Sequence, residues 1–170
     1  MLSRVLLCLS LLATSMAYAS IAQQLIPGAR AVGDSPTLTY LFWDIYQATL
    51  YAPNGQFDSS RPFILKLHYL RDLEGKEIAK RSIEEIKKQG FKNEAKLSNW
   101  LNEMREIFPD VTNGTELYGQ RTEQGSSLFF NGNTLIGQID DPLFTKYFFA
   151  IWLSENTSEP AMRKALLNIN

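Results

Sequence analysis

Ser126-Ser127-Leu128-Phe129-Phe130-Asn131-Gly132-Asn133-Thr134-Leu135-Ile136-Gly137-Gln138-Ile139-Asp140-Asp141-Pro142-Leu143-Phe144-Thr145-Lys146-Tyr147-Phe148-Phe149-Ala150-Ile151-Trp152-Leu153 is the stretch whose reading decides the fold. It contains two short apolar runs joined by Asn131-Gly132, which supplies the positive-φ pair that a tight hairpin needs. Asp140 or Asp141 then caps a helix, and Pro142 opens it where a missing N–H does no harm. Ser158 caps a second helix that runs from Pro160 towards the end of the chain. Two strands followed by capped, aromatic helices describe a sheet with an apolar roof, and such a pair of layers can enclose a pocket. Almost every polar residue in the stretch has a structural role, and no set of reactive side chains accompanies them.

Working outward, residues 37–52 are rich in aromatic and β-branched side chains between Pro36 and Pro53, which predicts one long or bent strand. Residues 62–70 alternate, with Phe63, Leu65, Leu67 and Tyr69 on a drier face and Ile64, Lys66, His68 and Leu70 on the other. Residues 75–89 carry Ile78, Ala79, Ile83 and Ile86 among charges, the pattern of a surface helix stopped at Gly90. Leu97, Trp100, Leu101, Met104, Ile107 and Phe108 recur at helical spacing over residues 93–108 until Pro109. Residues 115–124, 127–131 and 134–139 supply three more strands, and residues 141–153 and 160–169 two closing helices. Short turns join neighbouring strands, so the expected fold class is α+β, a large antiparallel sheet with helices layered on one face.

Arg4, the apolar run 5–13 and Ala17-Tyr18-Ala19 read as a secretory signal cut after Ala19. The run falls short of the roughly 20 residues that span a bilayer, so no stable membrane insertion is expected after cleavage. The expected product is one domain, residues 20–170, exported to the periplasm or secreted. Cys8 is the only cysteine and leaves with the signal, which excludes disulfides, thiol catalysis and thiolate metal sites from the remainder. The remaining ~150 residues are enough to bury about two-thirds of their unfolded surface in a single core. The formal charge of -1 offers no basic footprint, and no nucleic-acid partner is expected.

The segments Phe42-Trp43-Asp44-Ile45-Tyr46-Gln47-Ala48-Thr49-Leu50-Tyr51-Ala52-Pro53, Leu67-His68-Tyr69-Leu70-Arg71-Asp72, Phe108-Pro109-Asp110-Val111 and Ser158-Glu159-Pro160-Ala161-Met162-Arg163, taken in order, resemble the bacterial chalcone isomerase-like family. The resemblance implies an open-faced β-sandwich. It implies either an isomerase that closes a ring within one molecule or a non-catalytic binder of fatty acids, so membership leaves the function open. Tyr69, closely followed by Arg71-Asp72, is similar to the enzymes' tyrosine, and Arg30 in Gly28-Ala29-Arg30 to their Gly-x-Arg. The helix that should carry a distal threonine reads Phe148-Phe149-Ala150-Ile151-Trp152, which departs from the catalytic pattern.

The candidate ligand-binding residues are therefore Arg30, Tyr69 and Arg71, with no catalytic residue assigned. A guanidinium facing a cavity would require an anionic partner, because an unpaired buried charge is too costly to persist. His68 lacks a nucleophile elbow, Asp140 and Asp141 are explained as a helix start, and no glycine-rich phosphate loop occurs. No metal, cofactor or obvious protein partner is expected. The leading expectation is non-catalytic binding of a small apolar or amphipathic acid, a fatty acid or phenolic. The alternatives are an isomerase (intramolecular lyase) of the chalcone isomerase type and a structural or interaction protein of the envelope.

Overall fold

Alternating apolar residues build one antiparallel sheet from β1 (Ala29–Ala31), β2 (Thr37–Tyr40), β3 (Trp43–Pro53), β4 (Phe63–Tyr69), β5 (Glu116–Arg121), β6 (Ser127–Asn131) and β7 (Thr134–Ile139). These belong to a computed structural model that describes residues 20–169, and the segment read as an export signal lies outside the described residues. The strands run in the order β1-β3-β4-β5-β6-β7, with β2 pairing β3 beyond β1 on the same edge. Every pairing is antiparallel, and α2 (Gly75–Lys88) and α3 (Glu94–Ile107) are inserted between the neighbours β4 and β5. After β7 the chain continues into α4 (Pro142–Leu153) and α5 (Pro160–Leu167).

Residues 37–52 are not one strand, as their composition predicts. They form a hairpin, in which Tyr40 pairs with Trp43 and Thr37 with Gln47. The reversal falls on Leu41-Phe42 with Leu41 at φ 56, a left-handed backbone normally signalled by glycine or asparagine. At the β6–β7 hairpin the loop is Gly132-Asn133, between paired Asn131 and Thr134, and only Gly132 needs positive φ (55). Asp141 is the N-cap of α4 and accepts from the Leu143 N–H at 2.9 Å. The same carboxylate holds Lys96 Nζ at 2.8 Å and Trp100 Nε1 at 3.1 Å, tying α3 to the start of α4. Ser158 does not cap α5. Glu159 takes the N-cap position without a side-chain bond, and the Ser158 hydroxyl is instead a donor to Glu85.

The core lies between the sheet and the layer of α2 to α5. Phe148 is its hub, with its ring centroid 5.3, 5.2, 5.3 and 5.5 Å from those of Phe129, Phe144, Phe149 and Trp152. Each such ring contributes about 1.5–3 kcal/mol on burial. Two strand glycines set how closely helices approach the sheet. A Cβ on Gly119 would stand 3.2 Å from the Phe149 ring, and one on Gly137 would meet Ile107 at 2.5 Å. Both glycines pair with Phe129, which therefore has no side chain directly beside it on either neighbouring strand. The opposite face is not bare: a short helix α1 (Ile21–Leu25) with Ile26 covers Ile64, Tyr118 and Phe130.

Candidate functional site

A cavity of about 470 Å³ lies between the inner face of the sheet and the helices. Leu65, Leu67, Tyr69, Leu117 and Gly119 form its floor, because odd-numbered residues of β4 and β5 share that face. Phe148, Phe149 and Trp152 of α4 roof it, and Ile78, Arg81 and Glu85 of α2 form one side. The lining residues Tyr40, Lys80, Arg81, Glu84 and Glu159 are exposed and mark the mouth. The walls are apolar, and the size falls in the ~300–1,000 Å³ range of small-molecule sites.

Two tyrosines supply the polarity inside. Tyr46 and Tyr69 face each other edge to ring across β3 and β4, with centroids 5.8 Å apart. The Tyr46 hydroxyl accepts from Trp152 Nε1 at 2.9 Å. Tyr69 is 2 % exposed, and its hydroxyl has no hydrogen-bond partner among the described residues. Burial drives both phenols far above their ordinary range, so each remains protonated and can donate. Neither can serve as a base near neutral pH.

Charge enters from α2. Arg81 Nη2 lies 2.6 Å from Glu85 Oε1 and Nη1 3.7 Å from Glu84 Oε2. Lys88 Nζ and the Ser158 hydroxyl also donate to Glu85. Burial pushes the Glu85 carboxyl up, but these three partners outweigh it and hold it below the usual glutamate range. Glu85 thus ties α2 to the segment before α5 and holds Arg81 at the mouth.

Of the residues singled out in the sequence, Tyr69 lines the cavity while Arg30 and Arg71 do not. Arg30 is exposed on β1, paired with Ala52 at the sheet edge. Arg71 stacks its guanidinium 4.8 Å from the Trp43 ring centroid. His68 faces the other side of the sheet, 3.5 Å from Glu116, in a network that includes Lys66 and Tyr118. Sequence reasoning did not single out Tyr46, Arg81 or Glu85. Tyr46 shares its alternation with Ala48, Leu50 and Ala52, which all turn inward, and that period was the available signal. Arg81 had none, since on α2 it reads as one more surface charge. Among the described residues no group of three or more His, Cys, Asp or Glu is placed to hold a metal, and no helix is long and apolar enough to cross a membrane.

An antiparallel sheet half-covered by helices, with a closed-in apolar cavity between the layers, defines a class of α+β small-molecule pocket folds. Residues 38–168 match the chalcone isomerase-like family, and the chain belongs to it. An uncharacterized protein of Haemophilus influenzae is 29% identical over 125 residues, covering 72% of this chain and 60% of that protein. The chain thus spans less than two-thirds of that relative's length. The fold is similar to the crystal structure of a fatty-acid binding protein from Arabidopsis thaliana, with a TM-score of 0.64, 11% identity, and coverage of 84% of this chain and 88% of the other. At that identity the likeness is one of fold.

Proposed function

We propose that the protein binds a small amphipathic acid, a fatty acid or phenolic, in this cavity and does not transform it. The observation that carries the reading is the Tyr69 hydroxyl, which meets no protein partner and opens onto the cavity inside apolar walls. A hydrogen bond from that hydroxyl to an oxygen of a bound headgroup would contribute about 0.5–1.5 kcal/mol. Arg81 lines the same cavity as Tyr46, together with the carboxylates of Glu85 and Glu159, and its guanidinium would meet the acid group at the mouth. The tail would run along the Phe148 and Leu117 walls. Roughly eight buried methylenes at about 0.8 kcal/mol each give about 6 kcal/mol, enough to offset the lower part of the association cost, about 4 kcal/mol upward.

The chemistry of the lining supports binding over turnover. The cavity wall carries no imidazole, and the facing phenols Tyr46 and Tyr69 are held neutral. The isomerase alternative would need an arginine on a developing phenolate, and that role would fall to the same Arg81, whose pairing with Glu84 and Glu85 bears on both readings alike. The Arabidopsis neighbour, a fatty-acid binding protein, favours the same choice by fold. Removal of residues 1–19 would place this binder in the periplasm, with Ser20 as its first residue.

The test is native mass spectrometry of gently purified protein, followed by titration of the stripped protein with fatty acids and phenolics. The expected result is a co-purifying acid and saturable binding weakened in Arg81→Ala. An empty protein that takes up none of these ligands would refute the proposal. Steady loss of chalcone absorbance would favour the isomerase.

A further inference from the structure

The β2–β3 hairpin ends in four consecutive exposed apolar side chains: Tyr40 at 62%, Leu41 at 73%, Phe42 at 93% and Trp43 at 61%. No other part of the described chain exposes large apolar residues in a run. Beyond the Tyr46–Tyr69 pair the hairpin projects past the end of β4, where the Leu70 N–H donates to the Ile45 carbonyl and Arg71 lies over Trp43. Its reversal places Leu41 at φ 56, where a β-turn would ordinarily use glycine. A strained backbone that presents Leu and Phe to water is the kind of outlier that marks function.

We propose that this tip docks the protein onto a lipid bilayer, with Leu41 and Phe42 inserted among the acyl chains. Three observations select a bilayer over a protein groove. Tyr40 and Trp43 flank the apolar Leu41-Phe42 tip on both sides, the order in which Tyr and Trp settle at a membrane interface. Arg71 lies over Trp43 at 4.8 Å and has no carboxylate partner among the described residues, so its charge is available to a lipid phosphate at the same depth. Asp44, whose carboxylate accepts from Thr39, and Asp72, which accepts from the Asn113 N–H, are the adjacent opposing charges, and each is hydrogen-bonded to a protein donor without forming an ion pair with Arg71. Finally, Leu38 and Tyr40 of the same hairpin line the cavity, so the tip and the mouth are continuous. An apolar ligand could pass from bilayer to cavity without crossing water. That consequence rests on the binding reading above, whereas docking itself does not.

Intrinsic fluorescence isolates the tip. Of the three tryptophans Trp100 and Trp152 are 2% and 6% exposed, leaving Trp43 as the water-facing emitter. Ligand-free full-length protein is mixed with vesicles of phosphatidylethanolamine and phosphatidylglycerol, and with vesicles of phosphatidylcholine alone. Both are expected to shift the emission to shorter wavelength and to carry the protein upward on flotation, because insertion is apolar first. The double variant Leu41→Asp with Phe42→Asp should lose the shift and bind vesicles more weakly by at least about a hundredfold. Both positions are exposed, so its circular dichroism should match the parent. Residues 1–19 contain no tryptophan and are common to parent and variant, so they cannot account for the difference. Trp43→Phe should abolish the shift while retaining flotation. Docking is refuted if vesicles leave the parent's emission unchanged, or if the double variant shifts equally. It is also refuted if lipid-free protein shows the same shift with doubled mass on concentration, since a second copy would then cover the tip. Failure here leaves the ligand titration standing, and failure of that titration leaves docking standing.

Discussion

Replacing Tyr69 by phenylalanine should stabilise the empty protein and weaken its ligand complex. The hydroxyl sits in a residue 2 % exposed, without a protein hydrogen bond, beside a Tyr46 oxygen already engaged by Trp152. A wholly dry unpaired hydroxyl is worth about 1–3 kcal/mol of destabilisation, and the cavity of about 470 Å³ admits water, which places the effect near the lower end. The ring stays packed against Tyr46 at 5.8 Å, so no cavity is created to oppose the gain. We expect a gain of about 1 kcal/mol in urea unfolding of ligand-stripped protein, or a rise of about 2–4 °C in Tm for a domain of this size. Ligand affinity should fall by about 0.5–1.5 kcal/mol, roughly two- to thirteenfold, because the donor to the headgroup is gone. Calorimetric titration of both proteins with one saturating acid measures the second quantity. A variant less stable than its parent, or one that binds with unchanged affinity, would refute the assignment of this hydroxyl to the ligand.

Two other perturbations probe the framework around the cavity. Glu85 has its carboxyl held below the usual range in the folded protein, so its contribution is fully present above the unfolded value, ~4.3, and is lost as pH falls through the lower folded value. Glu85→Gln should therefore be less stable than the parent near neutral pH and show a shallower loss of urea stability on acidification; parallel curves would contradict this. Asp141→Ala removes the α4 cap, worth ~1 kcal/mol, and leaves the buried Trp100 N–H without its acceptor, a further ~1 kcal/mol or more. The summed loss of about 2–3 kcal/mol should appear in urea unfolding, with Asp141→Asn recovering only the cap, because Leu143 uses Oδ1 while Trp100 and Lys96 use Oδ2, which the substitution would replace with an amide donor.

Local pattern accounts for most of the elements. Alternation in residues 62–70 and 134–139 and helical spacing in residues 93–108 depend only on which side chains must leave water, and these became β4, β7 and α3. Asp141-Pro142 marked the start of α4 because cap chemistry acts within one turn. The hairpin at Leu41-Phe42 was hidden, since neither residue favours a turn and the long pairing of β2 with β3 imposes the strained backbone from outside. Ser158 looked like a cap by position, yet Glu85, 73 residues away in sequence, engages its hydroxyl.

The sequence by itself determined that an antiparallel sheet would meet aromatic helices and that Tyr69 would turn towards them, because both follow from periodicity. Whether those rings close into solid core or stand apart around a hollow is a matter of interlayer distance. That distance is set where Gly119 admits Phe149 and Gly137 admits Ile107, contacts made only when distant segments pack. The same packing decided which guanidinium reaches the mouth. Arg81 is carried there by α2, while Arg30 stays at the sheet edge and Arg71 lies on Trp43, because the placement of a charge depends on the elements around it and not on its neighbours in the chain.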